Sequence, residues 1–186
     1  MATDLKSLVL TATAKLFGVA TKEKELADSQ CPINLTEALA FTFGSGALQA
    51  DQIFFDRRVL AAGANETLDL SGVLENPLGG TISFANVKGI VIVNRSDETS
   101  TSPSHTITDA EIVVGGAAAN TFLGPFQDAS DKLGIPAGGI VFVARPTAAG
   151  WDVVDEYAVV TDQLKIENAD GSGEALYDIY IWGDSA

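Results

Sequence analysis

The feature that most constrains this chain is the period of its apolar residues, which is two almost everywhere. Leu8, Leu10, Ala12, Ala14 and Leu16 alternate with Val9, Thr11, Thr13 and Lys15. Successive side chains of a strand point to opposite faces, so this pattern predicts a half-buried strand with one apolar side. A helical reading through Leu5, Leu8, Val9, Ala12 and Leu16 competes with it. The strand is preferred because Thr is frequent and no pair of caps frames a helix. Alternation restarts at Ile33 and runs towards Phe43, and Thr67 to Leu70 repeats it. The run Ile90-Val91-Ile92-Val93 is β-branched on both faces, which predicts a strand in the middle of a sheet.

Glycine and proline punctuate these segments. Asn76-Pro77-Leu78-Gly79-Gly80 is a turn by its composition. Pro136-Ala137-Gly138-Gly139 predicts a hairpin joining Lys132–Ile135 to Ile140–Ala144. Asn168-Ala169-Asp170-Gly171-Ser172-Gly173 predicts another, joining 163–168 to 175–182. Together the segments amount to about ten to twelve short strands with no long helix. The expected fold is all-β: a β-sandwich, jelly-roll-like, with Gly-rich turns. The charged stretch Thr21-Lys22-Glu23-Lys24-Glu25 differs from the Gly-rich remainder. Residues 1–40 are therefore expected to form an extended N-terminal arm or hairpin, and residues 41–186 the sandwich.

Composition excludes several classes. The chain has 186 residues, 46% of them apolar, enough to bury a substantial core. Its longest apolar run, Gly89 to Val93, has strand length, whereas a membrane helix needs about 20 residues. Leu8-Val9-Leu10 is too short for a signal-peptide core, so synthesis in a cytoplasm without export by that route is the expectation. Cys31 is the only cysteine and His105 the only histidine. One thiol allows no intrachain disulfide, and the pair cannot build a Cys/His metal cluster. A net charge of −14 opposes binding to nucleic-acid phosphates.

The reactive side chains suggest no catalytic site. His105 lies in the polar stretch Arg95–His105, where a solvated loop residue is the plainer reading than a Ser-His-Asp member. Asp128 and Asp131 are three apart in a turn-rich loop and are expected to cap turns rather than form an acid–base pair. Asn168 to Glu174 has a faint likeness to a calcium loop but lacks the later ligands. Gly79-Gly80, Gly115-Gly116 and Gly138-Gly139 lack the Lys-Ser/Thr sequel of a phosphate loop. No catalytic residue, metal or cofactor is expected. Trp151, Trp182, Tyr157, Tyr177 and Tyr180 read as packing residues before they read as a sugar-stacking platform, with Tyr180 and Trp182 on one strand face. Arg57 and Arg58, adjacent in a strand, must point to opposite faces. Internal ion pairing is the favoured role for them, and a docking contact the alternative.

Four pieces of the chain carry a resemblance. They are Gly44-Ser45-Gly46-Ala47-Leu48-Gln49-Ala50-Asp51 with Asp56-Arg57-Arg58-Val59-Leu60-Ala61-Ala62; Glu66-Thr67-Leu68-Asp69-Leu70-Ser71-Gly72-Val73-Leu74; Phe84-Ala85-Asn86-Val87-Lys88-Gly89-Ile90; and the loop from Gly115 through Asn120, Phe122, Pro125, Phe126 and Asp131, running on to Ile135-Pro136-Ala137-Gly138-Gly139 and the closing Asp178-Ile179-Tyr180-Ile181-Trp182-Gly183. In this order they resemble a family of small virion structural proteins of tailed bacteriophages, over roughly Phe41 to Gly183. The resemblance implies a capsid decoration (cement) protein on the virion surface, with a head-fibre or tail-associated component as the nearest alternative. It implies the major capsid protein as partner, a small homo-oligomer such as a trimer, and no catalytic residue. A carbohydrate-binding sandwich module is a third, weaker reading. The candidate interface residues are Arg57, Arg58, Phe122, Phe126, Trp151 and Trp182.

Overall fold

A computed structural model describes residues 7–22, 29–76, 78–97, 107–117, 119–156 and 159–185. Among them are fifteen strands and no helix. In chain order they are β1 (Val9–Lys22), β2 (Ser29–Thr42), β3 (Gln52–Leu60), β4 (Asn65–Asp69) and β5 (Leu74–Glu75). There follow β6 (Thr81–Ile82), β7 (Asn86–Asn94), β8 (Ile112–Gly115), β9 (Lys132–Ile135) and β10 (Ile140–Ala144). The chain closes with β11 (Trp151–Asp152), β12 (Val154–Glu156), β13 (Val159–Thr161), β14 (Gln163–Asn168) and β15 (Ala175–Asp184).

Two antiparallel sheets form the body. One has the order β10-β7-β15-β3, with β11 added beside β10 on β7; the other has the order β4-β14-β8-β9. They face each other across one apolar core. Phe54, Ile90, Ile92, Tyr177, Ile179 and Ile181 come from the first sheet, and Leu68, Ile112, Val114, Ile135, Leu164 and Ile166 from the second. Alternation along β15 explains the arrangement: Ala175, Tyr177, Ile179 and Ile181 point inward, while Asp178, Tyr180 and Trp182 lie on the outer face. β7 is an interior strand of its sheet, as its two-sided β-branched run requires.

The two hairpins expected around Pro136–Gly139 and Asn168–Gly173 are not hairpins. β9 pairs with β8, and β10 pairs with β7 in the other sheet. Likewise β14 pairs with β4 and β8, whereas β15 pairs with β3 and β7. Both turns therefore cross between the sheets. Buried asparagines hold these corners. Asn94 Nδ2 donates to the carbonyls of Ala110 and Ile135, both at 2.8 Å. Asn168 Nδ2 donates to Ala61 (3.0 Å) and Gly173 (2.8 Å). A buried amide that satisfies backbone carbonyls from separate segments fixes the crossing, since leaving those groups unpaired costs about 1–3 kcal/mol each.

β1 and β2 form one long antiparallel hairpin running from Val9↔Thr42 to Lys22↔Ser29. Residue 40 thus lies inside β2, and Phe41 is fully buried against the body. Of the polar stretch from Ala20 to Gln30, expected as a hairpin tip or loop, residues 20–22 and 29–30 belong to β1 and β2, and residues 23–28 lie outside the described residues.

Candidate functional site

The root of the hairpin is built into the body. Leu8, Leu10, Ala12 and Leu39 pack with Phe41 onto Ile53, Val91, Phe142, Ala144 and Trp182 on the outer face of the β10-β7-β15-β3 sheet. Phe41 meets Trp182 edge-on, with ring centroids 5.6 Å apart, an arrangement aromatic quadrupoles favour. Trp182 lies flat across Gly89, its neighbour on β7, and any side chain there would occupy the indole's place. The small residue thus makes room for the large one.

A buried cation pins the segment that follows. The register between β15 and β7 jumps from Trp182↔Gly89 to Gly183↔Val87, so Lys88 is the extra residue of a β-bulge. Bulges re-aim a side chain. Here Nζ of Lys88 donates to the carbonyls of Ser45 (2.8 Å), Gly46 (2.8 Å) and Gln49 (2.9 Å), and lies 2.5 Å from Oδ2 of Asp184. Both side chains are fully buried. Asn86 Nδ2 donates to Oδ1 of the same carboxylate at 2.8 Å. This network ties the connection between β2 and β3 to the body, and so fixes where the hairpin leaves it.

Beyond its root the hairpin projects as an arm. The face that packs on the body continues outward through Ala14 and Glu37, Leu16 and Leu35, then Gly18 and Ile33. Leu16 is 57% exposed, Leu35 48% and Ile33 45%. The opposite face adds exposed Phe17 and Val19. On the body, the outer sheet face stays open next to the root. Phe55 and Tyr180 stack there with centroids 6.0 Å apart and are 49% and 40% exposed. Ile140 stands exposed on the same face. Large apolar surfaces left in water mark interaction sites in stable proteins. The arm and this outer face are the candidate site.

The six residues singled out from sequence do not converge. Arg57 faces outward and makes a paired contact to Asp178, Nε to Oδ1 at 2.6 Å and Nη2 to Oδ2 at 2.9 Å, with Arg95 on the same carboxylate at 3.0 Å. The Arg57 hydrogen bond outweighs burial and holds the Asp178 carboxyl below the usual range. Arg58 faces the other way, contacts Glu66 and Asp56, and lies over the Phe54 ring. Burial, then the bond to Glu66, pushes the Tyr177 phenol upward. Phe122 and Trp182 are core residues, so neither offers a side chain to a partner. Trp151 and Phe126 are partly buried against the main core. The residues missed from sequence are Leu16, Leu35, Phe55 and Tyr180 as a surface, and the Lys88–Asp184 pair. One signal was present: Phe54 and Phe55 are adjacent in a strand, so one of them has to leave the core.

The aspartates weighed from sequence as carboxylate pairs or calcium ligands cap turns. Asp128 Oδ1 accepts from the Ser130 N–H and Oγ, and Asp131 Oδ2 accepts from the Gln127 and Asp128 N–H groups. Asp170 repeats this with Ser172 and also accepts from Thr108. The serine bonds lower the pKa of Asp128 and of Asp170. Among the described residues no group of three or more His, Cys, Asp or Glu side chains is arranged to hold a metal. His105 lies outside the described residues. A cleft of about 390 Å³ opens between the sheets, lined by Ile92, Val114, Phe126, Val141 and Leu164, with Asp131 and Lys132 at its rim.

No protein-family model, no curated protein and no solved structure matches this chain.

Proposed function

We propose that this chain is a non-enzymatic structural protein of a tailed-phage virion, a decoration protein that binds the assembled head through the major capsid protein and stabilises it. The observation that supports this reading is the arm. A two-stranded hairpin is marginal in water on its own, and this one carries exposed leucines and an isoleucine far from its root. A rigid sandwich that pins the root of such an arm suits a protein whose binding surface is completed by an assembly. The four resembling segments point the same way. The acidic charge suits a shell protein that must not compete for the packaged genome.

The test uses particles that lack the protein. Purified chain is added, unbound protein is removed, and the particles are imaged and heated. The expected result is density repeated over the shell and a higher temperature of genome release. Density restricted to a vertex or the tail would shift the role to a fibre or tail component. No bound protein on any part of the particle would overturn the reading.

A further inference from the structure

We propose that the distal apolar face of the arm docks on the exposed outer sheet face of a second copy of this chain. The inference rests on the reading of the arm as a binding element, and it names the first partner of that element. Three observations favour a second copy as the occupant.

The first is continuity. The face carrying Leu16, Leu35 and Ile33 is the same face that, at the root, already lies on the outer side of the β10-β7-β15-β3 sheet through Leu10, Ala12, Leu39 and Phe41. The arm is thus built to pack on this kind of surface. The second is that each copy holds both halves of the contact. In the body, Phe55, Tyr180 and Ile140 remain exposed on that sheet face, beside the place where the root ends. The distal part of the arm does not cover its own copy's patch, since Leu16 and Leu35 on one side and Phe55 and Tyr180 on the other all stay exposed. From Thr13 to Lys22 it extends roughly 30 Å at about 3.3 Å per residue, pointing away from its root. An unused donor surface and an unused acceptor surface on one chain form a heterologous, head-to-tail contact, which builds a ring where its rotation closes and an open filament where it does not.

The third is charge. Residues 1–42 contain four Lys and five Asp or Glu, a net of −1, leaving seven basic and twenty acidic residues, a net of −13, in residues 43–186. Two bodies brought face to face repel each other, whereas a nearly neutral arm lets the acidic bodies stay further apart and lowers that cost. Contact through arms is therefore the association this charge distribution permits.

Sedimentation velocity of the full chain at micromolar concentration tests the contact, with two variants beside it. One carries Leu16→Asp and Leu35→Asp in the arm; the other carries Phe55→Ser and Tyr180→Ser in the patch. Melting curves check that each is folded, and Tyr180→Lys alone replaces the patch variant if it is not. The wild type is expected to sediment as an oligomer and each variant as a monomer. Mixing the two variants should give a heterodimer, because one still has an intact patch and the other an intact arm. A monomeric wild type, variants that stay oligomeric, or a mixture with no heterodimer would each overturn the proposal. Particle binding is scored separately. A monomer that still coats particles sinks this contact and spares the virion role, and an oligomer that ignores particles does the reverse.

Discussion

At the scale of single residues, the most consequential feature is a cation where a β-sandwich normally has none. Lys88 is fully buried, its ammonium facing three backbone carbonyls and the equally buried Asp184. Two charges out of water gain little net energy from each other, because their desolvation offsets the attraction. Breaking the pair is a different matter. Lys88→Met would leave the Asp184 carboxylate without its counter-charge and would remove the ammonium donor from the carbonyls of Ser45, Gly46 and Gln49, of which Gly46 keeps the Gln49 N–H. The expected loss is about 3–5 kcal/mol of unfolding free energy, read from chemical denaturation. The double variant Lys88→Met with Asp184→Leu should recover part of it, since an apolar pair leaves no charge stranded. Equal stability of Lys88→Met and wild type would mean that the ion pair does not hold the segment between β2 and β3.

At the scale of elements, the arm has two parts with different energetics. Its root is core: Phe41 is wholly buried against Trp182. Its outer half is surface. Phe41→Ala should therefore cost about 3–5 kcal/mol, as truncation of buried aromatics does. Leu16→Ala, in dilute monomeric protein, should fall within about 0.5 kcal/mol of wild type. Thermal or denaturant melts of the two variants check the contrast, and a large loss for Leu16→Ala would mean that the outer half packs on its own body. Much of the element inventory is readable from period two, because alternation reports which face a residue occupies. The strands from Val9 and Asn65 follow it, whereas the strand from Asn86 is read from its two-sided β-branched run. Partner choice is not readable that way. The segment Lys132–Ile135, Pro136–Gly139, Ile140–Ala144 has the local form of a hairpin, yet its strands enter different sheets. The deciding groups are Asn94 and Asn168, whose amides bind carbonyls from segments remote in sequence. The interface residues suffered from the same limit. Alternation puts Tyr180 and Trp182 on one face, but only the position of the root decides that Trp182 is covered and Tyr180 is not.

At the scale of the whole molecule, charge and apolar surface act against each other. The body carries nearly all of the net −14, while the exposed leucines and aromatics lie on the arm and beside its root. Association through these surfaces brings acidic bodies near one another, a repulsion that acts across solvent and is therefore open to screening. The Debye length falls from about 10 Å at 0.1 M salt to about 3 Å at 1 M. An apolar contact between arm and sheet does not weaken over that range, and the repulsion between bodies fades. Self-association should accordingly strengthen as sodium chloride is raised, seen as a lower dissociation constant in sedimentation equilibrium. A contact held by ion pairs gives the opposite slope, since screening removes attraction instead of repulsion. The sign of the salt dependence therefore distinguishes an apolar arm that tolerates an acidic body from an interface made by charge.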